Sequence, residues 1–212
     1  MLINNTNEYV KMNKVESNHW WYKSLYDLVL NVITKQFNTN KISILDAGCG
    51  TGGLLSFLYS NKYGTLKGFD ISQEAVHFAS SKNINIELKD LKNYRYVDER
   101  YDVIVSTDTM YFFNLEEQRK ILNEFNKSLN SGGIVILNLP SFKIFSGTHD
   151  KAVGIKNRFS SSMVLNMIDN SQYDIIEKKY WPFLLSPLIA SIRVLQKIKL
   201  LFCINNKLNS TC

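Results

Sequence analysis

The sequence predicts an α/β domain on a doubly wound, mostly parallel sheet, with a lid helix before it and an apolar helix after it. Three observations predict it. Short apolar runs alternate with stretches of helical periodicity five times between residues 41 and 140. The first run, Ile42 to Asp46, passes at once into a helix through glycines at 48, 50, 52 and 53. Turn chemistry, as in Ser131-Gly132-Gly133, separates the units. Consecutive right-handed β–α units place a ligand at the carboxyl ends of the strands.

Taken in order, residues 1–17 lack a clear period and read as a loose arm. Leu25, Leu28, Val29, Val32 and Ile33 then fall at helical spacing, predicting one helix over Trp20–Gln36. Trp20 and Trp21 at its start either pack the helix on the sheet edge or roof a pocket, with His19 and Tyr22 as polar tips inside it. After the glycines come a helix to Asn61, a strand over Thr65–Asp70, and a helix over Gln73–Ser81 capped by Ser72. A third strand covers Ile84–Leu88, with Asp90 just beyond, and a fourth covers Tyr101–Ser106. Asn114 and Glu117 have the spacing of a capping box, Ile121, Leu122, Phe125 and Leu129 form one stripe, and Ile134–Leu139 is strand five.

Pro140 to Phe159 reads as a long loop at the ligand end, carrying the adjacent pair His149-Asp150 and the basic Lys151, Lys156 and Arg158. Ser160 caps a helix to about Asn170, and Asp174–Tyr180 reads as a sixth strand. From Trp181 the chain is apolar, but Arg193, Lys197 and Lys199 interrupt it before a membrane span is reached. That segment closes the sheet edge or the pocket, lies on anionic lipid, or forms a dimer face. The expectation is a single domain over 1–212: arm and lid helix (1–38), cofactor-binding core (41–140), then substrate loop, sixth strand and C-terminal helix (141–212).

With 45% hydrophobic and 21% charged residues among 212, the composition is that of an ordinary soluble domain. Three scattered cysteines without metal-ligand spacing point to a reducing compartment and no zinc. The N-terminus has no apolar h-region, so the cytoplasm is the expected location. The +6 charge is spread along the chain, which fits a solvated basic surface or attraction to an anionic one and gives no stripe for nucleic acid. The expected assembly is a monomer or homodimer.

Gly48-Cys49-Gly50-Thr51-Gly52-Gly53 satisfies the dinucleotide pattern G-x-G-x-x-G, a weak signal alone. Asp46 separates the alternatives. A carboxylate at the loop's mouth repels a pyrophosphate, whereas it attracts the ammonium and sulfonium of S-adenosylmethionine. Asp70, about twenty residues past the glycines, is placed for ribose hydroxyls in either case, beside the backbone of Ile71.

The run Asp46-Ala47-Gly48-Cys49-Gly50-Thr51-Gly52 resembles motif I of the class I S-adenosylmethionine-dependent methyltransferases, which implies a Rossmann-like fold, methyl transfer and S-adenosylhomocysteine as product. Glu16…His19-Trp20-Trp21-Tyr22, Leu139-Pro140-Ser141 with His149-Asp150 downstream, and Lys156-Asn157-Arg158-Phe159-Ser160 resemble one branch of that class, found beside glycan and lipid biosynthesis. The resemblance implies Asp90 and the backbone of Leu91 at the adenine, with Thr107 and Cys49 lining the cofactor. It implies His149 as a base oriented by Asp150, with His19, Trp20, Tyr22, Tyr111 and Arg158 on the acceptor side. The alternative roles are packing for the aromatics and a simple loop pair for His149 and Asp150.

Many relatives carry Glu-His where Tyr111 and Phe112 stand, and a second histidine where Ile155 stands. No Asn-Pro-Pro-Tyr-like motif follows strand four, which favours oxygen over nitrogen as the atom methylated. The acceptor class is a small molecule, sugar, lipid-linked intermediate or peptide. Two other readings stay open: a nucleoside-binding partner without activity, and an NAD-dependent oxidoreductase.

Overall fold

The computed structural model describes residues 6–82, 84, 86–96, 98–143, 146–147, 150, 154–155, 157–168 and 172–181. The chain divides into two compact units, Met1–Asn138 and Leu139–Cys212. The first contains α1 (Thr6–Val15), α2 (Trp20–Gln36), β1 (Ser43–Ala47), α3 (Gly53–Ser60), β2 (Thr65–Asp70), α4 (Gln73–Ser80), β3 (Ile86–Leu88), β4 (Tyr101–Thr107), α5 (Leu115–Lys127) and β5 (Leu129–Asn138). The second contains α6 (Ser161–Met167).

The five strands form a parallel sheet in the order β3-β2-β1-β4-β5. Strand order therefore reverses direction at β1, which puts the topological switch point at the carboxyl end of that strand. Ile44, Val103, Ile104 and Val105 at its centre are fully buried. Such near-continuous apolar runs are what a sheet covered on both faces requires. Period-two alternation along β2 divides its side chains between the faces. Leu66 joins Cys49, Leu55, Ala79 and Ile86 beneath α3 and α4, whereas Phe69 stacks on Tyr94, which meets Phe125 of α5 edge-on.

The expected caps form. Ser72 Oγ accepts from the Ala75 N–H, and Asn114 with Glu117 makes a reciprocal capping box. Other expectations are corrected. The N-terminal stretch is helical as α1, held by contacts with residues far along the chain and not by a period of its own. β5 starts at Leu129, because Leu129 pairs with Tyr101 before a register shift leads to Val103 opposite Ile134. Residues 174–180 belong to no strand: Ile175 and Ile176 are adjacent and both exposed, so the segment has no buried face to pair on. α6 ends at Met167, short of Asn170. The apolar segment from Pro182 lies outside the described residues, and none of the described helices is long and apolar enough to cross a membrane.

Candidate functional site

The turn after β1 is shaped by close approach. Gly48 has φ 83°, and a Cβ there would collide with the Thr109 side chain. Gly50 has φ 53°, and a Cβ there would lie 2.9 Å from Met12 Sδ. Both backbones favour glycine, and at Gly48 the β-branched Thr109 side chain leaves no room for a Cβ as well, whereas the flexible end of Met12 could yield at Gly50. The Gly48 and Cys49 N–H groups donate to Phe69 O at 2.9 and 3.0 Å. Cys49 points its thiol into the core cluster, where burial pushes it well above its usual range. Gly52 is the N-cap of α3.

Asp70 is the most fully bonded acid of the site. Its Oδ2 accepts from the Gly50 N–H at 2.9 Å, and its Oδ1 accepts from the Ser72 N–H at 2.9 Å and the Tyr9 hydroxyl at 3.3 Å. Burial raises it and these donors oppose the rise. Asp46 is its opposite. It is 1% exposed, its Oδ1 has no hydrogen-bond partner among the described residues, and burial, then Asp70 and Glu16, push it up to about 8.

Glu16, at the α1–α2 junction, is 3% exposed and pairs with Lys82, whose Nζ also donates to Thr51 O at 2.7 Å. The pair therefore ties the N-terminal helices to the glycine loop. Tyr22 of α2 is pushed up to about 12 by burial, then by Glu16 and Asp108. On the other flank of β1, Ser106 Oγ donates to Ala47 O at 2.9 Å and meets Thr109 Oγ1. Asp108 follows with a left-handed backbone, φ 54°.

Asp46, Gly48, Gly50, Asp70 and Ile71 thus gather at the switch point, as their spacing predicts, with Thr107 at the end of β4. Asp90 caps the short 3-10 turn Leu91–Asn93 by accepting from the Lys92 N–H at 2.9 Å, and Leu91 is buried. Tyr111 is buried against Phe112. His19 is an exposed N-cap, its Nδ1 accepting from the Trp21 N–H at 3.3 Å, and Trp20 is 47% exposed. In the second unit Arg158 forks onto Asp150 with two bonds of 2.7 Å and donates to Ser141 O at 2.9 Å. His149 lies outside the described residues.

Tyr9, Met12, Lys82 and Asp108 are the additions of the structure. The first three carry no local signal; Asp108 had one, its position one residue past a strand's carboxyl end. Among the described residues no group of three or more His, Cys, Asp or Glu side chains is placed to hold a metal ion. An unpartnered buried carboxylate with two further acids nearby fits a ligand that brings its own cationic donor. The same acids oppose a pyrophosphate. The residues therefore fit S-adenosylmethionine.

Residues 44–133 match a family model described as a methyltransferase domain. The chain is 29% identical over 129 residues to carboxy-S-adenosyl-L-methionine synthase of Staphylococcus epidermidis, covering 58% of this chain and 55% of that one. It is 34% identical over 101 residues to phosphoethanolamine N-methyltransferase 1 of Zea mays, covering 44% and 20%. The chain thus spans about half the length of the first relative and a fifth of the second. The crystal structure of magnesium protoporphyrin IX methyltransferase from Synechocystis PCC 6803 with bound S-adenosylhomocysteine superposes with a TM-score of 0.60, at 16% identity over 78% of this chain and 83% of that one. This last likeness is one of fold.

Proposed function

We propose that the chain, whose residues 44–133 match the methyltransferase-domain model, is an enzyme that transfers a methyl group from S-adenosylmethionine to an acceptor in a biosynthetic pathway. The observation that carries this is Asp46, buried at the mouth of the glycine loop with Oδ1 unpartnered. When bound, the cofactor supplies an activated methyl group and its own leaving group. The chain's residues must hold it, align the acceptor and exclude water. Asp46 accepts from the ammonium, Asp70 takes the ribose hydroxyls, and Asp90 with the Leu91 backbone takes the adenine. Tyr22 and Tyr111 line the acceptor side.

The acceptor is a small molecule, sugar, lipid-linked intermediate or peptide, methylated on oxygen. The absence of an Asn-Pro-Pro-Tyr-like run at Thr107-Asp108-Thr109-Met110 supports oxygen. The acids of the site disfavour an anionic nucleophile. A cytoplasmic monomer or homodimer is the assembly this reading carries. The proposal does not depend on His149.

Thermal unfolding with S-adenosylhomocysteine, and separately with NAD, tests it. A ligand at a hundredfold excess over its dissociation constant adds about 2.7 kcal/mol, worth several degrees in a chain of this size. A rise with S-adenosylhomocysteine alone is expected. A rise with NAD, or none with either, overturns the cofactor assignment. Binding with no methyl transfer to any acceptor class would leave a nucleoside-binding partner.

A further inference from the structure

Asp108 is a carboxylate that the roles above leave unused, and it is held under strain. A left-handed backbone in a residue other than glycine costs on the order of 1 kcal/mol or more and persists only where its surroundings impose it. Here β5 imposes it. The Asp108 N–H donates to Asn138 O at 3.1 Å, and Asn138 Nδ2 donates to Asp108 Oδ1 at 3.0 Å. The side chain is half-buried, and among the described residues Oδ2 has no hydrogen-bond partner. Its neighbour Thr109 packs on Gly48.

The strand order fixes what this carboxylate faces. β2 carries Asp70 on one side of β1 and β4 carries Asp108 on the other. With its ribose on Asp70 and its ammonium on Asp46, a bound cofactor would span the carboxyl ends of β2 and β1. Asp108 is then the carboxylate on the side away from the ribose, and its charge reaches Tyr22 of α2, whose hydroxyl it helps to push up.

Resting on the methyltransferase reading, we infer that Asp108 receives the acceptor's proton, and that the acceptor is a nucleophile arriving with its proton on, not a carboxylate or phosphate. The acceptor's lone pair forms the new bond to the methyl carbon, and the electron pair of the breaking S–C bond goes to sulfur. The acceptor's proton goes to Asp108 Oδ2 and from there to water. Burial pushes Asp108 up to about 6, against the bond from Asn138, so it is ionised yet basic at neutral pH. The titratable group of α2 that its charge reaches is Tyr22, while Asn138 of β5 and Thr109 are neutral; Asp46 on β1 and Asp70 on β2 are the site's other acids.

The test needs no acceptor. Sinefungin carries a carbon-bound ammonium where the cofactor carries its methyl-sulfonium, so its affinity relative to S-adenosylhomocysteine reports charge at the transfer position and cancels the effects of Asp46 and Asp70 on both ligands. Calorimetry on the full chain at pH 7.5 is expected to show at least a tenfold preference for sinefungin, fading as pH falls through about 6. Asp108→Asn, which suits a left-handed backbone, should abolish the preference while S-adenosylhomocysteine affinity stays within twofold. Asn138→Leu should move the midpoint upward, because a bond to the ionised form is lost. Equal weakening of both ligands by Asp108→Asn, or a preference that survives it, overturns the inference. Wild-type protein that binds S-adenosylhomocysteine without preferring sinefungin overturns this inference alone, and protein that binds neither overturns the functional reading first.

Discussion

The two carboxylates flanking β1 are held in opposite ways. Asp70 is clamped by two backbone N–H groups and a tyrosine hydroxyl. Asp108 has one side-chain partner and a strained backbone. Backbone donors come with the fold itself, so they suit a group that binds the invariant nucleoside. A side-chain partner is replaceable, which suits the flank that meets an acceptor. The difference teaches that one sheet end carries a rigid half and an adjustable half.

The largest expected effect on ligand binding breaks the rigid half. Asp70→Ala should weaken S-adenosylhomocysteine binding by about 100-fold, since hydrogen bonds to a charged group are worth about 1.5–3 kcal/mol each. It should also lower stability by roughly 2 kcal/mol or more by orphaning the Gly50 and Ser72 N–H groups, read by calorimetry and urea unfolding. Lys82→Met leaves the Glu16 carboxylate buried without its cation, at a cost of about 3 kcal/mol. Its unfolding midpoint in urea should drop accordingly, and a double variant with Glu16→Gln should recover most of the loss.

Asp46→Asn separates stability from function. The folded protein raises Asp46 to about 8, far above the unfolded value near 4, so folding favours its neutral form. Wild-type stability from this group is present below pH 4 and is lost as pH rises toward about 8. The Asn variant should therefore match the wild type at pH 4 and exceed it by on the order of 5 kcal/mol at pH 8.5, while binding S-adenosylhomocysteine more weakly. Ligand binding by the wild type at pH 7 should release protons, visible as a dependence of calorimetric enthalpy on the buffer. Asn114→Ala, remote from both flanks, gives the smallest effect: about 1 kcal/mol from a lost capping box, with ligand affinity unchanged. A shift in affinity there would mean that the two halves are not independent.

The legible parts of the site are those whose signal is local. Asp46, Gly48, Gly50 and Asp70 declare themselves because a strand, a tight turn and a helix start follow one another within a short stretch. Asn114 and Glu117 do so through a three-residue spacing. α1 did not, because what orders it is Tyr9 on Asp70 and Met12 over Gly50, partners distant in sequence. A sixth strand was expected over Asp174–Tyr180, yet a strand requires a neighbour to pair with, and residues 174–180 have none among the described residues.

Arg158 and Asp150 each looked like separate site groups, and the fold joins them in one fork. Periodicity, glycine spacing and cap chemistry by themselves determined the sheet class, the strand that carries the loop and the acid at its mouth, because each is a short-range rule about a few neighbouring backbone groups. Tertiary structure alone decided which acids are satisfied and which are left wanting a partner. Burial and hydrogen bonding are properties of everything packed around a side chain, and no window of sequence contains them.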